Sequence, residues 1–420
     1  MQPYLMKMAY LNHKHLYIFF LYVFATLSMM AQSDSAFINY LNREYNIKTT
    51  KHNNIKLLKS GHDKFEDLFN EIRKAKHHIH LEYFNFRNDS IANLTFDLLA
   101  QKANEGVEVR AIFDAFGNSS NNQPLKKRHL KEIRKNGIEI EKFDPIRFPY
   151  INHVFHRDHR KIVVIDGKVG YTGGMNIADY YIEGLPEIGE WRDMHVRIEG
   201  EGVGHLQDIF LDMWNKTTKQ NVGGAEYYPL QKDSSYWGKK EVAIVDRYPR
   251  KTNKIMRRAY AKAIESANNE VQIINPYFTP TRIIKKAIKN ALKKGVKVEI
   301  MIPGKSDIPF TPDAAFYIAN NLRKKGADIY IYNGGFHHSK IMMIDSLYCT
   351  VGSTNLNSRS LRYDYEVNAF IFDKETTHEL IDMFEEDQVN STLLTKEVYK
   401  KRSAWKRFVG WFAHLFTPFL

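Results

Sequence analysis

Cysteine is almost absent from this chain. Its 420 residues include a single cysteine, Cys349, in an apolar setting beside Val351. One thiol excludes disulfide bonds within the chain and metal sites built from several thiolates. We expect Cys349 to be a core residue.

The N-terminal region lacks a hydrophobic run long enough to cross a bilayer comfortably. Its apolar run, Leu16 to Met30, has 15 residues, whereas a membrane-spanning helix needs about 20. Lys7 and Lys14 precede the run, and residues 1–31 contain no acid. This layout is typical of a secretory signal peptide. We predict that residues 1–31 are either a signal peptide, cleaved after Ala31, or an uncleaved membrane anchor.

Basic residues outnumber acidic residues. The chain has 61 lysines and arginines against 48 aspartates and glutamates, for a formal net charge of +13. A basic surface favours anionic partners, either nucleic acid or a membrane of acidic phospholipid. An apolar content of 43% and a charged content of 26% are usual for a globular protein. The length is enough for two or three domains.

The chain contains one short pattern twice. The first copy is His159, Lys161, Asp166, Gly173 and Asn176, and the second is His338, Lys340, Asp345, Gly352 and Asn355. In both copies the glycine follows the histidine by 14 residues and the asparagine follows it by 17. A single His-x-Lys-x4-Asp pattern is weak evidence, but two copies with the same offsets are not expected by chance. An ordinary buried strand that happens to follow a histidine would not explain the repetition.

The spacing also predicts local structure. The residues between lysine and aspartate are apolar in both copies, Ile162–Ile165 and Ile341–Ile344, which indicates buried strands. The dipeptide Asp166-Gly167 indicates a turn after the first of them. Side chains alternate across a strand, so the histidine and the lysine of each copy lie on one face.

A longer repeat surrounds the two copies. The first half shows helix, strand, helix and strand patterns at Phe65–Lys76, Ile79–Phe86, Ala92–Asn104 and Val107–Phe113. The second half repeats them at Ile255–Ala267, Val271–Phe278, Arg282–Lys294 and Val296–Ile302. Alternating strands and helices predict an α/β fold with two similar domains, each a mixed or parallel sheet flanked by helices. We expect these domains at residues 50–215 and 241–395, with a linker at residues 216–240.

The repeated residues suit chemistry on a phosphodiester. Lys161 and Lys340 can neutralise its charge and stabilise its equatorial oxygens, and Asn176 and Asn355 can donate hydrogen bonds to the same oxygens. A neutral imidazole can attack phosphorus, while a protonated one gives its proton to the leaving alcohol. The spacing does not decide which histidine plays which part.

A metal site is a weaker interpretation. His153, His156 and His159 are spaced by three, but no cluster of acids or cysteines accompanies them. Two lysines at the phosphate would already do the work of a cation. We expect neither a metal nor another cofactor.

The motifs resemble those of the phospholipase D superfamily, and the bacterial cardiolipin synthase branch in particular. Further similar stretches are Leu81–Phe84, Gly106–Arg110, Trp191–Asp193, Asn357–Leu361 leading to Glu366, and Leu415–Leu420. The resemblance covers about residues 55 to 420. It implies two phospholipase D-like domains related by a pseudo-twofold axis, with the active site at their interface.

The resemblance also implies parts for the site residues. The N-terminal motif usually supplies the nucleophile, so His159 would attack and His338 would be the acid and base. Asp193 and Glu366 match acidic positions that hold the second ring nitrogen of a histidine, although both could be surface acids at strand edges. Asp166 and Asp345 complete the candidate catalytic set. Since both begin turns, we expect them to make structural hydrogen bonds rather than carry protons.

The implied function is phosphatidyl transfer. Two phosphatidylglycerol molecules would give cardiolipin and glycerol through a covalent phosphohistidine. The partners would be the anionic phospholipid substrate and a membrane surface, with nucleic acid unlikely and no obligate protein partner. The expected location is the bacterial cell membrane, peripheral or anchored on its periplasmic or outer face.

Alternatives remain open at this point. A phospholipase D-like phosphodiesterase would use water on phospholipid or, less plausibly, nucleic acid, and a binding protein would have a silent site. The run Arg362–Tyr365 departs from the family, which has a shorter, Asn-containing run before the glutamate. This departure puts the choice of acceptor in doubt. The N-terminus departs too, because the family usually keeps one or two membrane-spanning helices there.

The C-terminal residues 400–420 are rich in Trp, Phe and Leu, with Lys406 and Arg407 among them. This composition is typical of an amphipathic helix lying in a membrane interface. The alternative is a terminal helix docked on the core.

Overall fold

The computed structural model describes residues 34–146, 155–229, 238–308 and 311–417. Within these ranges the chain forms a seven-stranded sheet, an eight-stranded sheet and a two-stranded sheet. Residues 1–33 are outside the described part, so the predicted signal peptide or anchor is not among the elements below. No helix in the described ranges has the length and apolar character needed to cross a bilayer.

The first half begins with a helix at residues 34–45 (α1). Its further elements are β1 (Asn53–Leu58), α2 (Gly61–Lys74), β2 (His78–Tyr83), α3 (Ser90–Asn104), β3 (Glu108–Asp114), α4 (Ala115–Ser120), α5 (Lys127–Lys135), β4 (Glu139–Phe143), β5 (Ile162–Ile165), β6 (Val169–Gly173), α6 (Tyr180–Glu183), β7 (Glu190–Arg192), β8 (His195–Gly200) and α7 (Gly202–Thr218). The order in the seven-stranded sheet is β1-β8-β6-β5-β2-β3-β4. Strands β2, β3 and β4 are parallel, and the others are antiparallel to their neighbours.

The second half repeats this arrangement. Its elements are β9 (Glu241–Arg247), α8 (Ile255–Ser266), β10 (Glu270–Ile274), α9 (Arg282–Lys293), β11 (Lys297–Pro303), α10 (Thr311–Arg323), β12 (Asp328–Tyr332), β13 (Gly335–His337), β14 (Ile341–Ile344), β15 (Tyr348–Gly352), α11 (Ser358–Arg362), β16 (Glu366–Phe372), α12 (Lys374–Val389), β17 (Ser391–Leu393), α13 (Lys396–Lys401) and α14 (Ala404–Leu415). The order in the eight-stranded sheet, β17-β12-β11-β10-β14-β15-β16-β9, matches that of the first sheet with β17 added at the edge. The predicted fold, two similar mixed sheets flanked by helices, is confirmed.

The two sheets pack face to face, and the central core lies between them. Ile162 and Val164 of β5 lie in one apolar cluster with Ile341 and Met343 of β14. The alternate residues of each strand face the helices of their own half. Strands covered on both faces are apolar throughout, which is the pattern seen in the sequence. Cys349 is buried in the same central cluster, as expected of a core residue.

Several element ends differ from the predicted ones. Helix α2 begins four residues earlier than expected, because the Ser60 side chain accepts a hydrogen bond from the Asp63 N–H and caps the helix. Strand β10 ends at Ile274 rather than Phe278. Pro276 follows closely, and proline has no N–H to donate to a neighbouring strand.

The predicted linker is partly regular structure. Helix α7 continues to Thr218, and a short 3-10 turn at Ala225–Tyr227 buries Tyr227. Residues 230–237 lie outside the described part of the chain. The linker at residues 216–240 therefore stays a prediction.

The C-terminal region forms two helices, α13 and α14, rather than one. Helix α14 packs against α10, where a side chain at Gly410 would collide with the Asp313 carbonyl. The rings of Tyr317 and His414 are 4.4 Å apart at the same contact. The opposite face leaves six large apolar side chains exposed: Trp405, Phe408, Trp411, Phe412, Leu415 and Phe416. The helix thus docks on the core by a small-residue face and presents an aromatic face to solvent.

Candidate active site

Each histidine motif is paired with a strand of the opposite half. Residues Gly335–His337, just before His338, form a parallel ladder with Glu190–Arg192. The His338 N–H donates to the Arg192 carbonyl at 2.6 Å. In the first motif, Asp158 bridges to Tyr365 in parallel, and the His159 N–H donates to the Tyr365 carbonyl at 3.0 Å. This exchange brings the two motifs together at the interface between the halves.

Each catalytic histidine also contacts a carboxylate from the opposite half of the chain. His159 Nδ1 lies 3.1 Å and 3.3 Å from the two carboxylate oxygens of Glu366. His338 Nδ1 lies 2.6 Å from Asp193 Oδ2. Both acids are fully or almost fully buried. The sequence identified Asp193 and Glu366 as partners of the histidines, but not that each belongs to the histidine of the other half.

These contacts define the ring tautomers. A carboxylate accepts a hydrogen bond, so Nδ1 of each ring carries the proton and Nε2 is the nitrogen left for chemistry. Lys340 Nζ lies 2.9 Å from His338 Nδ1, but an Nδ1–H that donates to Asp193 cannot also accept. The shorter, charge-assisted contact to the carboxylate dominates, and the Lys340 ammonium donates to the His338 carbonyl.

Both lysines are buried beside the histidines. The Lys161 ammonium donates to the His159 carbonyl at 2.6 Å. Within the described ranges, neither Lys161 nor Lys340 has a carboxylate at ion-pair distance. Burial lowers the pKa of Lys161 to about 7 and that of Lys340 to about 8. An anion placed between these ammonium groups would favour their charged forms.

The two motif asparagines lie at the ends of strands β6 and β15. Asn176 and Asn355 are each only 5% exposed. The Oδ1 atoms of both amides lack a hydrogen-bond partner among the described residues. These open atoms are acceptors and suit a hydroxyl of a ligand, whereas a phosphate oxygen would accept from the amide N–H groups.

The motif aspartates lie at the other end of the strands, away from the histidines. Asp166 accepts from the backbone N–H groups of residues 76–78 at 2.7 to 3.0 Å. Asp345 accepts in the same way from residues 268–270 at 2.7 to 2.9 Å. Both have positive φ, 53° and 52°, as the turns require. These contacts fit the structural part expected from the sequence.

The two carboxylates at the site differ in their electrostatics. Burial raises the pKa of Glu366 to about 7, although Lys161 opposes the shift. Burial also opposes ionisation of Asp193, but Lys340 and His338 outweigh it and hold the Asp193 pKa below its usual range. His338 therefore faces the more stable anion.

The pKa values of the two histidines are lowered by their surroundings. Burial, together with Lys161 and Lys340, lowers the pKa of His159 well below its usual value. Burial lowers the pKa of His338 to about 4, with Asp193 acting in the opposite direction. Both shifts favour the neutral ring. The effect of Lys340 on His159 also places groups of both motifs within electrostatic reach of each other.

Sequence reasoning missed a third buried lysine. Lys64 of α2 is fully buried, and its ammonium donates to the carbonyls of Met175 at 3.1 Å and Asn176 at 2.8 Å. These bonds hold the turn that carries the Asn176 amide. His195 supports the same turn, because its Nδ1 accepts from the Met175 N–H at 3.3 Å.

His337 and the histidines spaced by three residues were the other histidines considered near the site. His337 points away from the site and contacts Asp387 at 3.0 Å. Of the three-residue-spaced histidines, His153 lies outside the described residues, and His156 Nδ1 contacts the Tyr363 carbonyl at 3.0 Å. Across the ranges that the structure describes, no group of His, Cys, Asp and Glu could hold a metal ion.

The chain is similar to known proteins along most of its length. A family model described as cardiolipin synthase, PLD-like domain, matches residues 68–214 and 260–388. Cardiolipin synthases from Oceanobacillus iheyensis and Listeria monocytogenes are 36% and 38% identical over 88% of this chain and 76% of their own length. Among solved structures, a phosphatidylserine synthase from Haemophilus influenzae superposes with a TM-score of 0.65 at 17% identity, covering 87% of this chain and 95% of that one.

That structural likeness supports the fold alone, since its sequence identity is low. The family is established by the two-part model match, which includes both histidine motifs, and by relatives that are 36% and 38% identical over 88% of this chain. The chain belongs to the cardiolipin synthase family of proteins with phospholipase D-like domains.

Proposed function

We propose that this protein transfers a phosphatidyl group from one phosphatidylglycerol to another, forming cardiolipin and releasing glycerol. The observation that carries the proposal is the exchanged pair of His–carboxylate contacts, His159 with Glu366 and His338 with Asp193. The lysines and asparagines of both motifs are buried at the same interface. The similarity to cardiolipin synthases supports cardiolipin as the product.

In the first half-reaction, His159 Nε2 attacks the phosphorus of the donor lipid. A P–N bond forms, and the P–O bond to the glycerol headgroup breaks. His338, protonated on Nε2, gives that proton to the departing glycerol oxygen. Lys161 and Lys340 stabilise the charge on the equatorial oxygens.

In the second half-reaction, His338 is neutral and acts as the base. Its Nε2 takes the proton of an acceptor hydroxyl, whose oxygen attacks the phosphorus. The P–N bond breaks, His159 is released neutral and His338 is protonated again. With phosphatidylglycerol as the acceptor, the product is cardiolipin.

The electrostatic difference between the rings supports this division of work. A nucleophile must be neutral, and burial with Lys161 and Lys340 lowers the pKa of His159 well below its usual value. An acid must be protonated, and His338 faces Asp193, whose pKa is held low. A bound phosphodiester adds negative charge beside both rings and favours the protonated form of the acid.

A membrane surface is the proposed setting. The exposed aromatic face of α14, with Lys406 and Arg407 on the same helix, supports contact with an anionic bilayer interface. We place the protein at the bacterial cell membrane, peripheral or anchored on its periplasmic or outer face. Phospholipid is the proposed partner rather than nucleic acid, and no obligate protein partner is proposed.

The products of one incubation test the reaction. Purified protein is incubated with phosphatidylglycerol in mixed micelles, and the lipids and glycerol are resolved. Cardiolipin and glycerol in equal amounts support transfer, whereas phosphatidic acid without cardiolipin would identify a hydrolase instead. The His159→Ala and His338→Ala variants should each abolish turnover, which ties either outcome to this site.

A further inference from the structure

A cavity lies at the junction of the two halves and is lined by Tyr365, whose backbone contacts His159. Its volume is about 700 Å³. It is lined by the end of β4, the end of α7, the loop after β9 and the segment Tyr363–Tyr365. That segment is part of the run, Arg362–Tyr365, that departs from the family pattern. The proposed reaction makes no use of this cavity.

Basic residues dominate the charge of the cavity. Four cations line it: Lys142, Lys216, Lys219 and Arg250. In the part of the chain that the structure describes, no ion pair joins any of these four to a carboxylate. The carboxylate of the wall, Asp144, is engaged by Arg157 at 3.1 Å. An excess of cations in a concave site attracts an anion.

Aromatic rings form the other part of the wall. The Lys216 ammonium lies 5.2 Å from the ring centre of Phe143, 4.7 Å from that of Tyr248 and 4.5 Å from that of Tyr365. It also donates to the Tyr365 hydroxyl. These three rings form an aromatic box that holds the Lys216 ammonium. Phe155 and Tyr363 extend the apolar surface, with ring centres 6.1 Å apart.

The cavity is connected to the catalytic centre through the backbone. Tyr365 directly precedes Glu366, and adjacent side chains of an extended segment point to opposite faces. The Tyr365 carbonyl accepts from the His159 N–H at 3.0 Å. A ligand that orders Tyr365 would therefore also order the Glu366–His159 contact.

We propose that this cavity is a second phospholipid site, which binds the phosphate of an anionic headgroup at Lys216 and Arg250 and the adjoining apolar part of the lipid against Phe155 and Tyr363. The shared chemistry is a phosphate next to an apolar group. The site is separate from the catalytic centre, and its occupancy does not depend on the transfer reaction.

Binding without turnover tests the proposal. The full-length His159→Ala variant is titrated calorimetrically with dihexanoyl phosphatidylglycerol below its micelle concentration. Parallel titrations use dihexanoyl phosphatidylcholine, sn-glycerol 3-phosphate and inorganic phosphate. We expect phosphatidylglycerol at two sites, the catalytic centre, which takes the donor and the acceptor lipid of the proposed reaction, and the cavity.

Three further variants in the same background identify the cavity site. Lys216→Gln should weaken one of the two sites about tenfold, the effect of losing one charge-assisted contact. Arg250→Gln, at an exposed position that leaves the aromatic box intact, should weaken the same site several-fold, roughly half that effect in free energy. Lys285→Gln, a half-buried lysine on α9 with the same change of charge, should leave both sites within about twofold.

Comparing the titrations with lipids and with soluble phosphates shows which kind of molecule supplies the bound phosphate. Tight binding of phosphatidylglycerol over glycerol 3-phosphate supports the lipid site. Equal binding of all phosphates, lost in Lys216→Gln, would support the phosphate chemistry but replace the lipid by a soluble ester. Phosphatidylglycerol binding that Lys216→Gln leaves unchanged, or equal weakening by Lys216→Gln and Lys285→Gln, would overturn the proposal. If Lys216→Gln fails to fold, Arg250→Gln decides.

Discussion

Replacing Asp193 by Asn and Glu366 by Gln should impair two different steps of the reaction. Each change keeps the size of the side chain and removes the charge that holds one histidine ring. Asp193→Asn disrupts the 2.6 Å bond to His338, and Glu366→Gln disrupts the paired 3.1 and 3.3 Å bonds to His159. Hydrogen bonds to charged groups contribute about 1.5–3 kcal/mol. At 1.36 kcal/mol for each factor of ten, kcat/KM should fall by about tenfold to 150-fold in each variant.

A substrate with a good leaving group distinguishes the two variants. With phosphatidyl p-nitrophenol the leaving group needs no proton, so the first half-reaction depends on His159 but not on His338 as an acid. In a stopped-flow assay, Asp193→Asn should retain the initial burst of nitrophenol release and have a lower steady-state rate. Glu366→Gln should lose the burst.

The control is Asp67→Asn, a buried carboxylate outside the site that contacts Tyr171 and Lys56. It should lower thermal stability and leave kcat within about threefold, because it changes no group at the phosphate. If Asp193→Asn and Glu366→Gln lose the burst equally, or if neither does, the assignment of the two histidines is wrong.

Three other outcomes are expected. The kcat/KM profile should be bell-shaped with its maximum near about pH 7. Burial raises the pKa of Glu366, which is needed charged, to about 7, and lowers the pKa values of Lys161 and Lys340, which are needed protonated, to about 7 and about 8. A profile flat from about pH 6 to 9 contradicts this. Lys64→Met should lower kcat about tenfold, because the turn that carries Asn176 loses two hydrogen bonds. Thermal stability should fall little, because a buried amine is removed as well. An unchanged kcat would show that Lys64 has only a structural part. The double variant Phe408→Ser, Phe412→Ser should weaken binding to phosphatidylglycerol vesicles at least about tenfold and spare turnover of monomeric short-chain lipid; unchanged vesicle binding would exclude α14 as the membrane contact.

The fold was largely predictable because its determinants are local. Strands β5 and β14 are encoded by four apolar residues in a row, and the flanking helices by their 3.6-residue periodicity. The errors fall at element ends, where single groups decide. Ser60 caps α2 earlier than the apolar pattern begins, and Pro276 stops β10 short of the apolar residues that follow it.

The composition of the site was predictable, but its pairing was not. His159 and Glu366 are 207 residues apart, and His338 and Asp193 are 145 apart. Spacing along the chain cannot tell which acid reaches which ring, because the answer depends on how two sheets pack face to face. The exchange follows from the parallel pairing of each motif with the other half.

Lys64 left a signal that sequence analysis could have used. It lies four residues before Leu68, on the apolar face of an amphipathic helix, where a lysine is out of place. A charged residue in such a position is buried only when polar groups receive it. Here the Met175 and Asn176 carbonyls do so, but nothing local in the sequence indicated them.

The most direct test of the account is the identity of the covalent adduct. The protein is quenched during turnover of phosphatidyl p-nitrophenol, digested, and its peptides are mapped by mass spectrometry. The account predicts a phosphatidyl group on His159, with more of it in His338→Ala because the base of the second step is missing. An adduct on His338, or none in either protein during active turnover, would contradict it.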